Sequence, residues 1–155
     1  MTDEDVLLER TAELAAQSVT DGGRPFGSLV ARDGQVVAEG VNRVDQTGDP
    51  TAHAEIEAIR AACAAIGTDD LGDCVLVSSA EPCPMCMAAC YWARLGKVVF
   101  GAARHEAAAI GFDSGFVYDQ LALPPGQRQL PTLHRPSPAA LEAMRRWARE
   151  HGAGD

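Results

Sequence analysis

Two short motifs constrain this chain more than anything else in it. They are His53-Ala54-Glu55 and Pro82-Cys83-Pro84-Met85-Cys86, each set where a helix is about to begin. An imidazole and two thiolates are natural zinc ligands. A helix N-terminus supplies partial positive charge and unpaired N–H groups, which favour the thiolate over the thiol. Two cysteines three apart in an entry turn can hold one ion from one side. His53, at the head of a neighbouring helix, can close it from the other. A fold that uses both motifs must bring two helix starts to one point.

The charges suit catalysis. Zn²⁺ with two thiolates and a neutral histidine sums to zero, so a water in the fourth position can lose its proton without strong local repulsion. A catalytic zinc lowers the pKa of that water to about 7. Glu55 then reads as the proton carrier between water, a ring nitrogen and a departing amine. Other readings of the thiols exist. Cys83 and Cys86 alone could be a redox pair, or half of a closed structural zinc site completed by Cys63, Cys74 or Cys90. Cys90, one turn after Cys86, is the best placed of these. Neither reading uses an acid two positions after the histidine.

The remaining pattern describes an α/β chain. Leu7, Leu8, Thr11, Leu14, Ala15 and Ser18 fall at helical spacing over residues 3–20, with Thr2 as N-cap. Residues 27–31 and 35–41 read as strands around the hairpin signal Asp33-Gly34. Asn42 to Thr51 reads as a loop. A helix from about Ala52 ends at Gly67, a buried strand covers 74–78, and a helix runs from Pro84 to about Arg94. Lys97–Gly101 is a further strand, followed by an Ala-rich segment at 104–109 and a Gly- and Pro-rich region. Ser137-Pro138 opens a last helix with Leu141, Met144 and Ala148 on one stripe. The order α-β-β-α-β-α-β predicts a sheet covered by helices.

With 155 residues the chain suits one domain, and no apolar run is long enough for a bilayer. Its acidic start, Met1-Thr2-Asp3-Glu4-Asp5, lacks the regions of a signal peptide and points to the cytoplasm. The net charge of −9 repels a phosphate backbone and argues against nucleic acid as partner. The one basic cluster, Arg145, Arg146 and Arg149, reads as a solvated helix face. Five cysteines, an odd number without a secretion signal, do not suggest a disulfide framework.

At its two motifs the chain resembles the cytidine deaminase-like zinc hydrolases, with their H-x-E…P-C-x-x-C signature. Thr51-Ala52-His53-Ala54-Glu55 and Glu81-Pro82-Cys83-Pro84-Met85-Cys86 resemble the branch of guanine deaminases and tRNA-adenosine deaminases. Arg24-Pro25-Phe26-Gly27, Glu39-Gly40-Val41-Asn42, Tyr91-Trp92-Ala93-Arg94 and the stretch Gly111–Tyr118 look like bacterial guanine deaminases. The similarity spans roughly residues 5–120.

The resemblance implies a three-layer α-β-α sandwich with a central mixed sheet, one deaminase domain over 1–155, and one zinc per chain on His53, Cys83 and Cys86. It implies Glu55 as catalytic residue, with Asp113 assisting, and Phe26, Asn42, Ala54 and Asp113 as substrate-binding positions. Asn42 would hydrogen-bond the polar edge of a base and Phe26 would contact its face. Bland alternatives stand beside these: Asn42 shaping a loop, Phe26 as core, Asp113 as a turn residue. Trp92 and Tyr118 read as core or dimer-contact aromatics. The resemblance also implies a homodimer, with the helical tail 120–155 exchanged between subunits.

The end of the chain departs from the pattern. Nothing aromatic follows Trp147, where such deaminases close an aromatic over the base. The expected reaction is guanine to xanthine plus ammonia. Guanosine, cytosine or a related heterocycle, a tRNA adenosine, and a non-catalytic zinc-stabilised module are the competing readings.

Overall fold

A computed structural model describes residues 2–152. The first helix, α1 (Asp3–Thr20), starts from a reciprocal cap. Asp5 N–H donates to Thr2 Oγ1 at 3.2 Å, and Thr2 N–H donates to Asp5 Oδ2 at 2.7 Å. Strands β1 (Gly27–Arg32) and β2 (Gln35–Val41) follow as a hairpin. Asp33 and Gly34 both take positive φ, 51° and 75°, the backbone that matches a tight turn to right-handed strand twist. Next come α2 (Val44–Thr47), α3 (Ala54–Ile66), β3 (Val75–Ala80), α4 (Pro84–Trp92), β4 (Lys97–Ala102), α5 (Arg104–Ala109) and α6 (Gly115–Ala122).

The four strands form one mixed sheet in the order β2-β1-β3-β4. β1 is antiparallel to both neighbours, whereas β3 and β4 run parallel, joined by α4. Strand alternation sorts the core to two faces. Leu29, Ala31 and Val77 meet Leu7 of α1 on one side. Val30 and Leu76 meet Ala58, Ile59 and Ala62 of α3, and Cys90 and Ala93 at the end of α4, on the other. Each large side chain so buried contributes roughly 1.5–3 kcal/mol. This is the three-layer α-β-α sandwich with a mixed sheet.

One close approach sets the height of α3 above the sheet. A Cβ at Gly40 of β2 would lie 2.4 Å from the Ala54 carbonyl oxygen and 2.5 Å from the Ala58 nitrogen. Only glycine lets the helix that carries Glu55 sit this low.

Two segments are more ordered than their composition predicts. The stretch Asn42–Thr51 contains the single turn α2, ended by Gly48 in the left-handed region. The Gly- and Pro-rich stretch after Gly111 contains α6, too short and too close to punctuating residues to register as a period.

The chain divides into two compact units, Met1–Tyr118 and Asp119–Asp155. In the second, Arg128 Nε donates to the carbonyls of Gln120 and Leu123. A 3-10 turn (Pro125–Gln127) leads on to α7 (Pro138–His151), which Ser137 caps through the Ala140 N–H. Trp147, the last aromatic, stacks on His151 of its own helix at 4.3 Å. Among the described residues no helix is long and apolar enough to cross a membrane.

Candidate metal centre and substrate cavity

Local hydrogen bonds deliver the histidine. Asp49 Oδ1 accepts from Thr51 N–H at 2.8 Å and from Thr51 Oγ1 at 2.7 Å. Arg43 N–H donates to Ala52 O at 2.9 Å, and His53 N–H to Thr51 O at 2.8 Å. The loop therefore closes on itself and brings Asn42 and His53 to the same cavity. His53 is the N-cap of α3, so the helix starts two residues later than its sequence pattern predicts. Cys83 is likewise the N-cap of α4, with Pro84 in the first turn. Both partial positive helix ends converge on the ligands.

His53 Nδ1 lies 3.5 Å from Cys83 Sγ and 3.4 Å from Cys86 Sγ. The three ligating atoms all fall within 4.8 Å of one another. A tetrahedral ion with Zn–S of about 2.3 Å and Zn–N of about 2.0–2.1 Å sets N···S edges of about 3.5–3.6 Å. The side chains already hold that spacing.

The protons tell the same story. Hydrogen bonding from Cys86 and His53 holds the Cys83 thiol down to about 4. Cys86 is pushed far up by the Cys83 sulfur, by burial and by the Glu55 carboxylate. His53 is raised, chiefly by its contact with Cys83. Three groups that cannot all shed their protons alone do so around a dication, which cancels the mutual repulsion. The donor set fits zinc.

Cys90 does not join it. Its side chain is buried in the α3–α4 core cluster, where burial pushes the thiol up to about 12. Among the described residues, neither Cys63, Cys74 nor Cys90 belongs to the ligand group. The closed structural site loses its fourth ligand.

Beside the three ligands, Glu55 is 7% exposed, and burial raises its pKa above the usual carboxylate range. Its Oε1 lies 3.4 Å from Ser78 Oγ and its Oε2 lies 3.6 Å from Cys86 Sγ. A cavity of about 260 Å³ opens over these groups, lined by Phe26, Asn42, His53, Glu55, Cys83 and Asp113 among others.

Asn42 is buried, and its Oδ1 accepts from Val44 N–H at 3.1 Å, so it both shapes the loop and lines the cavity. Phe26 meets Phe112 edge to face, with centroids 4.8 Å apart. Exposed Asp113 accepts from Gly115 N–H at 2.7 Å, and thus is a turn residue at the cavity edge. Ala54, between His53 and Glu55, is fully buried, with its carbonyl oxygen close to Gly40 of β2. Trp92 is 85% exposed and is no core residue of this chain.

Sequence reasoning missed Arg24, Glu81, Arg104 and Phe112, all of which line the cavity. Arg104 N–H donates to Glu81 Oε2 at 2.8 Å, and the guanidinium sits 4.6 Å over the Tyr118 ring. Glu81 and Arg104 follow the carboxyl ends of the parallel strands β3 and β4, the usual place for ligands in such sheets. That positional signal was available.

Comparison with known proteins agrees with this geometry. The pattern of the cytidine and deoxycytidylate deaminase zinc-binding region matches residues 1–102. Guanine deaminase of Bacillus subtilis is 48% identical over 129 residues, 82% of each chain. A crystal structure of guanine deaminase from Bacillus subtilis superposes with a TM-score of 0.90 at 41% identity, covering 94% of this chain and 93% of that one. A tRNA-specific adenosine deaminase of Agrobacterium fabrum is 38% identical over 110 residues, 67% of this chain and 72% of its own.

Proposed function

The chain belongs to the cytidine and deoxycytidylate deaminase family, and from that premise we propose that it hydrolyses guanine to xanthine and ammonia. One observation carries the reading. A buried Glu55 and two of the three clustered zinc ligands, His53 and Cys83, share a single cavity with a Phe26 wall, an Asn42 amide and the Asp113 carboxylate. His53, Cys83 and Cys86 would hold the zinc, which when bound polarises water and supplies hydroxide at neutral pH.

The protein's own groups handle the rest. Glu55 takes a proton from the attacking water and hands it to the ring nitrogen beside the amino-bearing carbon. It then takes the remaining proton from the hydroxyl newly bonded to that carbon and delivers it to the amino nitrogen as the C–N bond breaks and the carbonyl forms, so water and guanine leave as xanthine and ammonia. With Asn42 Oδ1 committed to Val44, its NH₂ is the end that meets a carbonyl acceptor on the base. Asp113, with one oxygen on Gly115, turns the other to an N–H donor of the ring. Adenine lacks the carbonyl and would leave the Asn42 amide unpaired.

The same reading makes the protein a cytoplasmic homodimer with residues 120–155 exchanged between subunits. Tyr91 and Trp92, 79% and 85% exposed at the end of α4, support a partner surface. Light scattering should report a dimer at micromolar concentration; a monomer would contradict this.

Ammonia release from guanine, guanosine, adenine, cytosine and a tRNA anticodon stem-loop tests the substrate. Guanine should be fastest. Faster turnover of another member would keep the deaminase and replace its substrate.

A further inference from the structure

Beneath Glu55 lies a polar pair that the proposed reaction does not use. On the sheet face that packs against α3 and α4, β1 and β3 present Val30 opposite Leu76, both in the apolar core. One step further along the same face the pattern changes to Ser28 opposite Ser78. Both serines are buried, 0% and 1% exposed. Ser28 Oγ donates to Ser78 Oγ at 2.8 Å, and Ser78 Oγ donates to Glu55 Oε1 at 3.4 Å.

The direction of this chain follows from its end. With Glu55 Oε1 as the acceptor at that end, Ser78 spends its single proton on the glutamate, and Ser28 fills a lone pair of Ser78. Two hydroxyls in an otherwise apolar layer are costly to bury unless they bond to something. What they reach is the proton carrier.

A glutamate needs such a partner. Rotation about its last torsion is broad, so an unsupported carboxylate exchanges its two oxygens freely. We infer that Ser78, backed by Ser28, is a positioning residue that ties Oε1 to the sheet and leaves Oε2 as the oxygen that takes and returns the proton. The Oε2 atom is the one facing Cys86 Sγ, at 3.6 Å, on the side of the ligand set. The long Ser78–Glu55 contact is of the kind that tightens when substrate fills a site.

This rests on the deaminase reading, and its test keeps the two apart. Ser78→Ala, Ser28→Ala, the double variant and Ser78→Thr are assayed on whichever base the wild-type protein deaminates fastest, with zinc measured in each. Ser78→Ala should lower kcat about tenfold, roughly 1.4 kcal/mol of barrier. KM should stay within about twofold, zinc content should not change, and Ser78→Thr should restore most of the rate. The double variant should be no slower than Ser78→Ala, because both serines act through one contact. Crystals of Ser78→Ala should show the Glu55 carboxylate in more than one orientation, with His53, Cys83 and Cys86 unmoved.

An unchanged kcat, a loss confined to KM, failure of threonine to rescue, or a single unaltered Glu55 orientation would each overturn the assignment. A wild-type protein that prefers another base to guanine would correct the substrate and leave this comparison intact.

Discussion

His53 Nδ1 and Cys86 Sγ stand 3.4 Å apart although they enter from the heads of different helices. With Cys83 Sγ, these atoms form one ligand group whose spacing fits a tetrahedral zinc ion. The expectation is one zinc per chain. Chelation should abolish turnover and expose an unusual thiol. With Cys83 held down to about 4, that sulfur is already thiolate at pH 6, whereas Cys86 and Cys90 are pushed up and stay protonated. Iodoacetamide at pH 6 should therefore label Cys83 first in zinc-free protein and little in the zinc-loaded form. Equal labelling of the two forms would contradict metal ligation by Cys83.

Glu55→Gln separates holding the metal from moving the proton. The amide fills the same buried space and can still accept from Ser78, so fold and zinc content should be retained. It cannot cycle a proton, and kcat should fall by roughly 10²–10⁴-fold. A variant that keeps a tenth of wild-type turnover would remove Glu55 from the central role.

The motifs and periods carried most of the architecture because they are local. The Thr2 cap, the Asp33-Gly34 turn and the Pro84 helix start are decided within a few residues, and all three sit where their chemistry predicts. The metal set was legible for the same reason, since ligand type and helix position are written side by side at His53 and Cys83. Arg104 and Glu81 were not. They reach the cavity only because β3 and β4 run parallel and end together, a tertiary fact without a local signature. The pairing of Ser28 with Ser78 likewise depends on strand register, which no window of either strand contains.

Gly40 offers a stability test that touches no reacting group. A methyl there would press on the backbone of α3, which has no flexible end to give way. Gly40→Ala should cost about 1–3 kcal/mol as overpacking. For a chain of this size that lowers Tm by roughly 2–12 °C. Because the first turn of α3 carries Glu55, turnover should fall as well, even below the melting range. Calorimetry showing an unchanged Tm would mean that the helix can ride higher over β2 without penalty.

Asp113 holds two roles in one side chain, and two substitutions divide them. Its Oδ1 accepts the Gly115 N–H at 2.7 Å, which fixes the turn into α6, while the residue also lines the cavity. Asp113→Asn keeps an oxygen for that N–H and removes the charge; Asp113→Ala removes both. If the carboxylate binds a donor on the base, the asparagine variant should already lose most of the guanine kcat/KM. A lost hydrogen bond to a charged group is worth roughly 1.5–3 kcal/mol, or about 10- to 150-fold. Zinc content should be normal in both variants, since Asp113 lies outside the ligand group. If Asp113→Asn turns guanine over normally and only Asp113→Ala is impaired, the residue is a turn former and the base is read by other groups.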